Sequence, residues 1–376
     1  MSDPMQHPTT GYIDLAREKR LLDLRREAEK KGRVEGFGVR PAGAPFPMAS
    51  PQTGYYGVPL LKEPTWTWQI PPYFFVGGAA GSASVLGMVS RWIGGDRELT
   101  RDCRYIAAVG TALSSALLVS DLGRPERFLA MMRVFKKQSP MSVGAWTLAV
   151  FGTFSAGAAF AEILGRRYDW LPIRLVGDLS EGLSALAGLP FSNYTGVLIG
   201  ASVIPVWNEN VGTLPIHFGM SGLNSAVGIL ELLGHDNTAL NTLGLGAAAI
   251  ETIEGISIET SRKPAMEPLK HGRSGLITRM GGVLSGPIPL ALRLAAAFTG
   301  KQRARQLRKI AAGCSVAGSM LTRIAWVHAG HVSAKNWRLP LEIKESEAAV
   351  QPQVGPVVRS KPAASTGTDQ VATGGI

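Results

Sequence analysis

Apolar residues are gathered in the middle of this chain and ordered into long runs. Eight such runs stand out: 73–93, 105–120, 142–164, 182–206, 211–233, 238–260, 279–299 and 310–330. Each comes close to the ~20 residues a helix needs to cross a bilayer core. In hydrocarbon a helix satisfies its own backbone polar groups, which an open strand cannot do. The pattern therefore predicts an all-α, polytopic membrane protein, a bundle of about eight transmembrane helices crossing the plasma (inner) membrane. The second run is short, and Pro287 and Pro289 interrupt the seventh.

The flanks read differently. Residues 1–64 form a polar amino-terminal tail without the short apolar core of a signal peptide, and 14–34 is a charged, helix-forming stretch that is either a solvated helix or a docking element. Residues 65–334 form the transmembrane domain. Residues 335–376, rich in Ala, Ser, Thr, Gly and Pro, are expected to be disordered.

Composition sharpens this picture. Only 18% of residues are charged, against about 25% in average chains. The net charge of +11 comes from the tails and from bursts between apolar runs, such as Arg97/Arg101/Arg104, Arg166/Arg167 and Lys301/Arg303/Arg305. That placement suits lipid headgroups and not a nucleic-acid surface, since no aromatic-basic recognition motif accompanies it. The lipid bilayer is the expected partner, and nucleic acid is not. Small-xxx-small spacings at Gly77/Gly81, Gly196/Gly200 and Gly282/Gly286 predict close helix packing.

Polar groups inside a membrane are costly and so are functional candidates. The sixth run holds Glu251 and Glu254, three apart and hence on one helix face. The eighth holds Arg323, the seventh Arg293, and the fifth His217 and Asn224. Two readings stand open: a proton or ion path through Glu251, Glu254, Arg323 and His217, or a buried Glu–Arg pair that fixes helix register. Redox ligands are scarce. The two cysteines, Cys103 and Cys314, are far apart, and of six histidines only His217 is clearly embedded. Haem b generally needs facing histidines and an Fe–S cluster needs several cysteines, so no haem, Fe–S cluster or other metal is expected in this chain.

Two boundary stretches carry an unusual density of polar and aromatic groups. One, Trp66-Thr67-Trp68-Gln69-Ile70-Pro71-Pro72-Tyr73, enters the first run; the other, Asp121-Leu122-Gly123-Arg124-Pro125-Glu126-Arg127-Phe128, follows the second. With eight helices, both lie on the same membrane side as the Trp207-Asn208 loop. Interfacial anchoring would explain the aromatics. A ligand with a polar head and an apolar tail would explain the whole set.

The blocks WTWQIPPYFFVGGAAG (66–81), SDLGRPERF (120–128), SPMSVGAW (139–146) and YTG…PVWN (194–208) resemble the NrfD/PsrC-type family, the membrane subunits of polysulfide reductase-like complexes. The resemblance runs from about residue 55 through the eighth run. It implies a quinone-binding subunit without a redox centre of its own, taking menaquinone or ubiquinone. It also implies docking to a four-cluster Fe–S protein, which serves a molybdopterin-type catalytic subunit or another redox partner. Carried over, Gln69, Tyr73 and Tyr194 would face the quinone head, with Asp121 and Arg124 in the interfacial loop. Family members with a described site have an asparagine and a histidine on the first helix, where this chain has Gln69 and Pro72/Tyr73. The predicted fourth span places Tyr194 about 12 residues, or roughly 18 Å, from the membrane boundary, so that helix should break near Pro190 or Pro205 unless the quinone enters deeply. A secondary transporter and a purely structural membrane anchor are the alternative functions.

Overall fold

The computed structural model describes residues 61–122, 126, 128–168, 170–336 and 339, together with Lys19, Leu22, Asp23 and Arg26. Among these residues there is no strand. Nine principal helices follow in order: α1 Ile70–Trp92, α2 Arg97–Asp121, α3 Pro140–Gly165, α4 Leu171–Gly200, α5 Leu214–Leu233, α6 Thr238–Thr260, α7 Gly272–Ser285, α8 Pro287–Ala297 and α9 Lys301–Lys335. Helices α1–α4 pack mutually, as do α5–α9, and the two groups meet where α1 and α4 lie against α5 and α1 against α9.

Local chemistry sets the helix ends. α1 starts with Pro71 and Pro72 in its first turn, where a missing N–H costs nothing and φ is already helical. The Asp96 side chain caps α2 by accepting the Glu98 N–H at 2.9 Å, and Asn237 caps α6 through the Leu240 N–H at 2.8 Å. Gly234, at φ 111°, ends α5 in the left-handed region that favours glycine.

Six of these stretches are long and apolar enough to cross a membrane, with α7 and α8 counting as one. The expected count of eight includes two more, α4 and α6, of 30 and 23 residues. Polar residues lower their hydropathy: Ser192, Asn193 and Tyr194 in α4, and Asn241, Glu251 and Glu254 in α6. Several of these face protein, Tyr194 at 8% exposure and Glu251 at 2%, where they cost less than they would in lipid. The chain is an all-α, multi-pass membrane protein.

The helices outrun the apolar runs that signalled them. α4 begins at Leu171 instead of 182, because its polar first turns pair with neighbours: Arg104 reaches Asp178 at 3.5 Å and Glu181 at 2.6 Å. It stops at Gly200, not 206. Pro205 drives Ile204 into extended backbone, φ −73° and ψ 123°, and Pro190 stays within the helix. Tyr194 thus lies six residues from the helix end, about 9 Å along the axis, half the expected depth. The seventh span is two helices broken at Gly286. Pro289 brings no N–H to the Ser285 carbonyl; the Asn224 amide donates to that carbonyl instead, at 2.9 Å.

Small residues allow a close crossing of α1 and α4. A Cβ on Gly188 would come within 2.9 Å of the Gly81 carbonyl oxygen, so α1 and α4 can touch only as they are. Gly282 departs from the expected packing role, since a Cβ there would meet nothing within 4 Å.

Candidate functional site

The two boundary stretches singled out in the sequence meet at one end of the first helix group. Trp66 stacks on Trp207, with centroids 5.1 Å apart and planes at 25°, and meets Phe74 edge-on at 5.9 Å. The Trp207 indole N–H donates to the Trp326 carbonyl at 2.8 Å, tying this corner to α9. Trp68 points outward at 73% exposure, as an interfacial anchor would.

Inside that aromatic corner, Thr67 links the stretches. Its hydroxyl donates to Asp121 Oδ1 at 2.6 Å, its backbone N–H reaches the same oxygen at 3.4 Å, and its Oγ1 also contacts the Gln69 side-chain amide. A hydroxyl has one proton. It goes to one acceptor at a time, the Asp121 carboxylate or the Gln69 carbonyl oxygen. Gln69 and Asp121 are both half-buried.

One turn further along the same face of α1 lies Tyr73, 2% exposed. Tyr194 of α4 is within electrostatic reach of it. The Tyr194 hydroxyl donates to the Pro140 carbonyl at 2.7 Å. Its ring lies directly on Gly144, where any Cβ would fall inside it. The block Ser139-Pro140-Met141-Ser142-Val143-Gly144 therefore serves as a seat for Tyr194, with one carbonyl to hold the hydroxyl and one glycine to admit the ring. Arg124 lies outside the described residues.

The remaining site candidates form a separate cluster in the second helix group. His217 Nδ1 bonds the Glu254 carboxylate. Glu251 Oε2 accepts from the Ser285 hydroxyl at 2.8 Å, and Arg323 donates to the Phe218 carbonyl at 2.7 Å with its guanidinium 3.8 Å over the Phe218 ring. His217 Nε2, Glu251 Oε1 and two Arg323 nitrogens are buried without a hydrogen-bond partner. Phe218 lies 6.0 Å from Phe74, so an aromatic layer stands between this cluster and the Tyr73 corner. His217 and Glu251 line a cavity of about 390 Å³ between α6, α7 and α9.

Other buried charges have partners that the sequence did not pair. Arg293 does not join the cluster; it makes a two-pronged ion pair with Glu231 of α5, at 2.6 and 2.7 Å. Arg104, expected beside headgroups, is 8% exposed and bonds Glu162 at 2.8 Å and Glu181 at 2.6 Å. An acidic residue within a run otherwise fit for lipid was the available signal, and it applied to Glu162 and Glu231 as well as to Glu251, while Glu181 stands just outside its run. Among the described residues no three His, Cys, Asp or Glu side chains gather as metal ligands would.

No curated protein matches the chain. The family model described as polysulphide reductase, NrfD, matches residues 60–240, which takes in α1–α5 with Gln69, Tyr73, Asp121, Tyr194 and His217, and leaves Glu251, Glu254 and Arg323 beyond it. The motif residues in that stretch include those that build the aromatic corner and the Tyr194 seat, and over residues 60–240 this chain matches the polysulphide reductase NrfD family.

Proposed function

We propose that this chain is the membrane subunit of a quinone-linked respiratory oxidoreductase in the plasma (inner) membrane. It exchanges electrons between menaquinone or ubiquinone and a docked four-cluster Fe–S protein, through which a molybdopterin-type catalytic subunit or another redox partner is served. The observation that carries the reading is the junction of Gln69, Thr67 and Asp121 at the membrane face of α1, within a chain region matched to the family.

The bound quinone would supply the two-electron chemistry. This chain's own groups do the rest. Gln69 presents its side-chain amide to the quinone head, held from behind by Thr67, which Asp121 holds in turn. Tyr73 presents its hydroxyl to the quinone head, and Tyr194 walls the head-group space with its ring. Asp121, half-buried at the boundary, would pass a proton between the bound head and water, and Arg124 of the same loop segment is the second candidate for that role. The buried His217, Glu254, Glu251 and Arg323 form a second set of proton-handling groups that would serve proton translocation.

In membranes carrying the assembled complex, Gln69→Ala and Tyr73→Phe should each slow quinol-linked turnover about tenfold, the low end of what one positioned proton-handling or orienting group contributes. Co-purification of the Fe–S subunit should be unchanged. Wild-type turnover in both variants would remove these residues from the site, and a parent complex that purifies in mild detergent without any bound quinone would point to an anchor without quinone chemistry.

A further inference from the structure

The cavity between α6, α7 and α9 is built by missing side chains. Gly255 of α6 and Gly282 of α7 both line it, and a Cβ on either would meet nothing within 4 Å. Its mouth is apolar: the lining residues Ile256 and Val283 are 58% and 46% exposed. One turn away on each helix, Ile253 and Met280 are exposed as well. α7 and α8 together are long and apolar enough to span a membrane, so this outer face meets lipid and the cavity opens to the bilayer.

The cavity is apolar within and charged at one end. His217 Nε2 and Glu251 Oε1 are buried in the protein, with no surface towards it. The hydroxyls of Thr252, Thr278 and Thr322 donate to carbonyls of their own helices, at 2.7, 2.9 and 3.0 Å. Ile258, Ala325 and Trp326 add apolar wall. The charged end is the one nearest the α6–α7 connection, where Glu259 and Arg279 line the cavity. They pair at 2.6 Å, yet the Arg279 side chain stays 56% exposed. Lys270 and His271 of the connection are within electrostatic reach of Glu259. Even with Lys263 engaged by Glu209, four Lys or Arg stand against two Glu between 259 and 279. The rim is cationic.

We propose that this cavity seats one acyl chain of an anionic phospholipid, whose phosphate lies against Arg279 at the rim. The interior selects the tail, since walls without free donors or acceptors give water little to bind. The rim selects the head, because surplus Lys and Arg at a membrane boundary attract anionic lipid and gain nothing from a zwitterionic one. A partner's helix is too thick: less than one turn of a helix about 10–12 Å across would fill about 390 Å³. The seated tail completes the wall between α6 and α7. This assignment needs only the membrane setting and holds whether or not the Gln69 corner binds a quinone.

The test uses the complete complex in phosphatidylcholine vesicles with a trace of phosphatidylglycerol carrying a photoreactive diazirine on one acyl chain. Ordinary lipid contact labels every outward face, so the exposed Leu186 and Leu189 of α4 supply the reference. Labelling around Gly255 and Gly282 should exceed that reference about tenfold, equivalent to about 1.4 kcal/mol of binding. Unlabelled phosphatidylglycerol should bring it down to the reference, and a decyl quinone should not. Gly282→Trp, which fills open space, should do the same, with Gly255→Trp as the second variant if the first does not assemble. Arg279→Gln should lower the labelling about tenfold, whereas Glu259→Gln, which removes a competing carboxylate, should not lower it. Labelling no higher than on α4, equal labelling by a phosphatidylcholine probe, displacement by the quinone in place of the lipid, or an equal loss in both rim variants would each overturn the proposal.

Discussion

Replacing Arg293 by leucine is expected to destabilise the bundle by about 3–5 kcal/mol, the usual cost of leaving one member of a buried ion pair alone. The Arg293 side chain is fully buried and Glu231 nearly so, at 0% and 5% exposure. The pair joins α5 to α8 and is closed off from solvent by the surrounding helices, so water does not take over the lost contacts. A third group, Asn241, reaches Arg293 at 3.4 Å, too weakly placed to satisfy Glu231 in its absence. Thermal unfolding of the detergent-solubilised protein should show the drop in the single variant. The double variant Glu231→Leu/Arg293→Leu should recover most of it, because both charges then leave together. A single variant as stable as the parent would mean that the pair contributes nothing net. The exposed Glu259–Arg279 pair, with side chains 49% and 56% accessible, makes the contrast: breaking it should change stability by less than about 1 kcal/mol.

The spans were legible because lipid imposes one strong rule on sequence, about 20 apolar residues per crossing. Helix ends were less so, since the rule sees only the part of a helix that meets hydrocarbon. α9 begins at Lys301, inside a basic burst, and α4 begins at Leu171, among residues that pair with α2. Neither extension has an apolar signature. The end of α4 was readable in principle: Pro205 constrains Ile204 whatever its hydropathy, and weighing that above the apolar run would have halved the depth assigned to Tyr194.

Pairings across the bundle were not legible. Glu231 and Arg293 are each visible as charges within apolar runs, but one sequence does not say which charge faces which. The separation of His217, Glu251, Glu254 and Arg323 from Arg293 needed the helices in place. Thr67 was hidden for another reason. A threonine at a helix entry is ordinary, and its role appears only when Asp121, 54 residues away, folds back beside it. The cavity was hidden most completely, since its signal is two glycines that resemble packing glycines until their neighbours are known.

Gly144→Leu should lower quinol-linked turnover about 100-fold, the scale on which a misplaced group near the reacting centre is felt. Any side chain at position 144 overlaps the Tyr194 ring, so either the ring leaves its seat or α3 shifts, and overpacking of this sort costs about 1–3 kcal/mol. Tyr194→Phe isolates the hydroxyl: it keeps the ring on Gly144 and loses the bond to the Pro140 carbonyl, about 1 kcal/mol of stability. The informative variant combines Gly144→Leu with Tyr194→Ala. Leucine then occupies room the ring has vacated, so unfolding temperature should return towards the parent value. If Tyr194 walls the quinone head, turnover stays low despite restored packing. If turnover returns with stability, Tyr194 is a packing residue and the head-group space is framed by α1 alone.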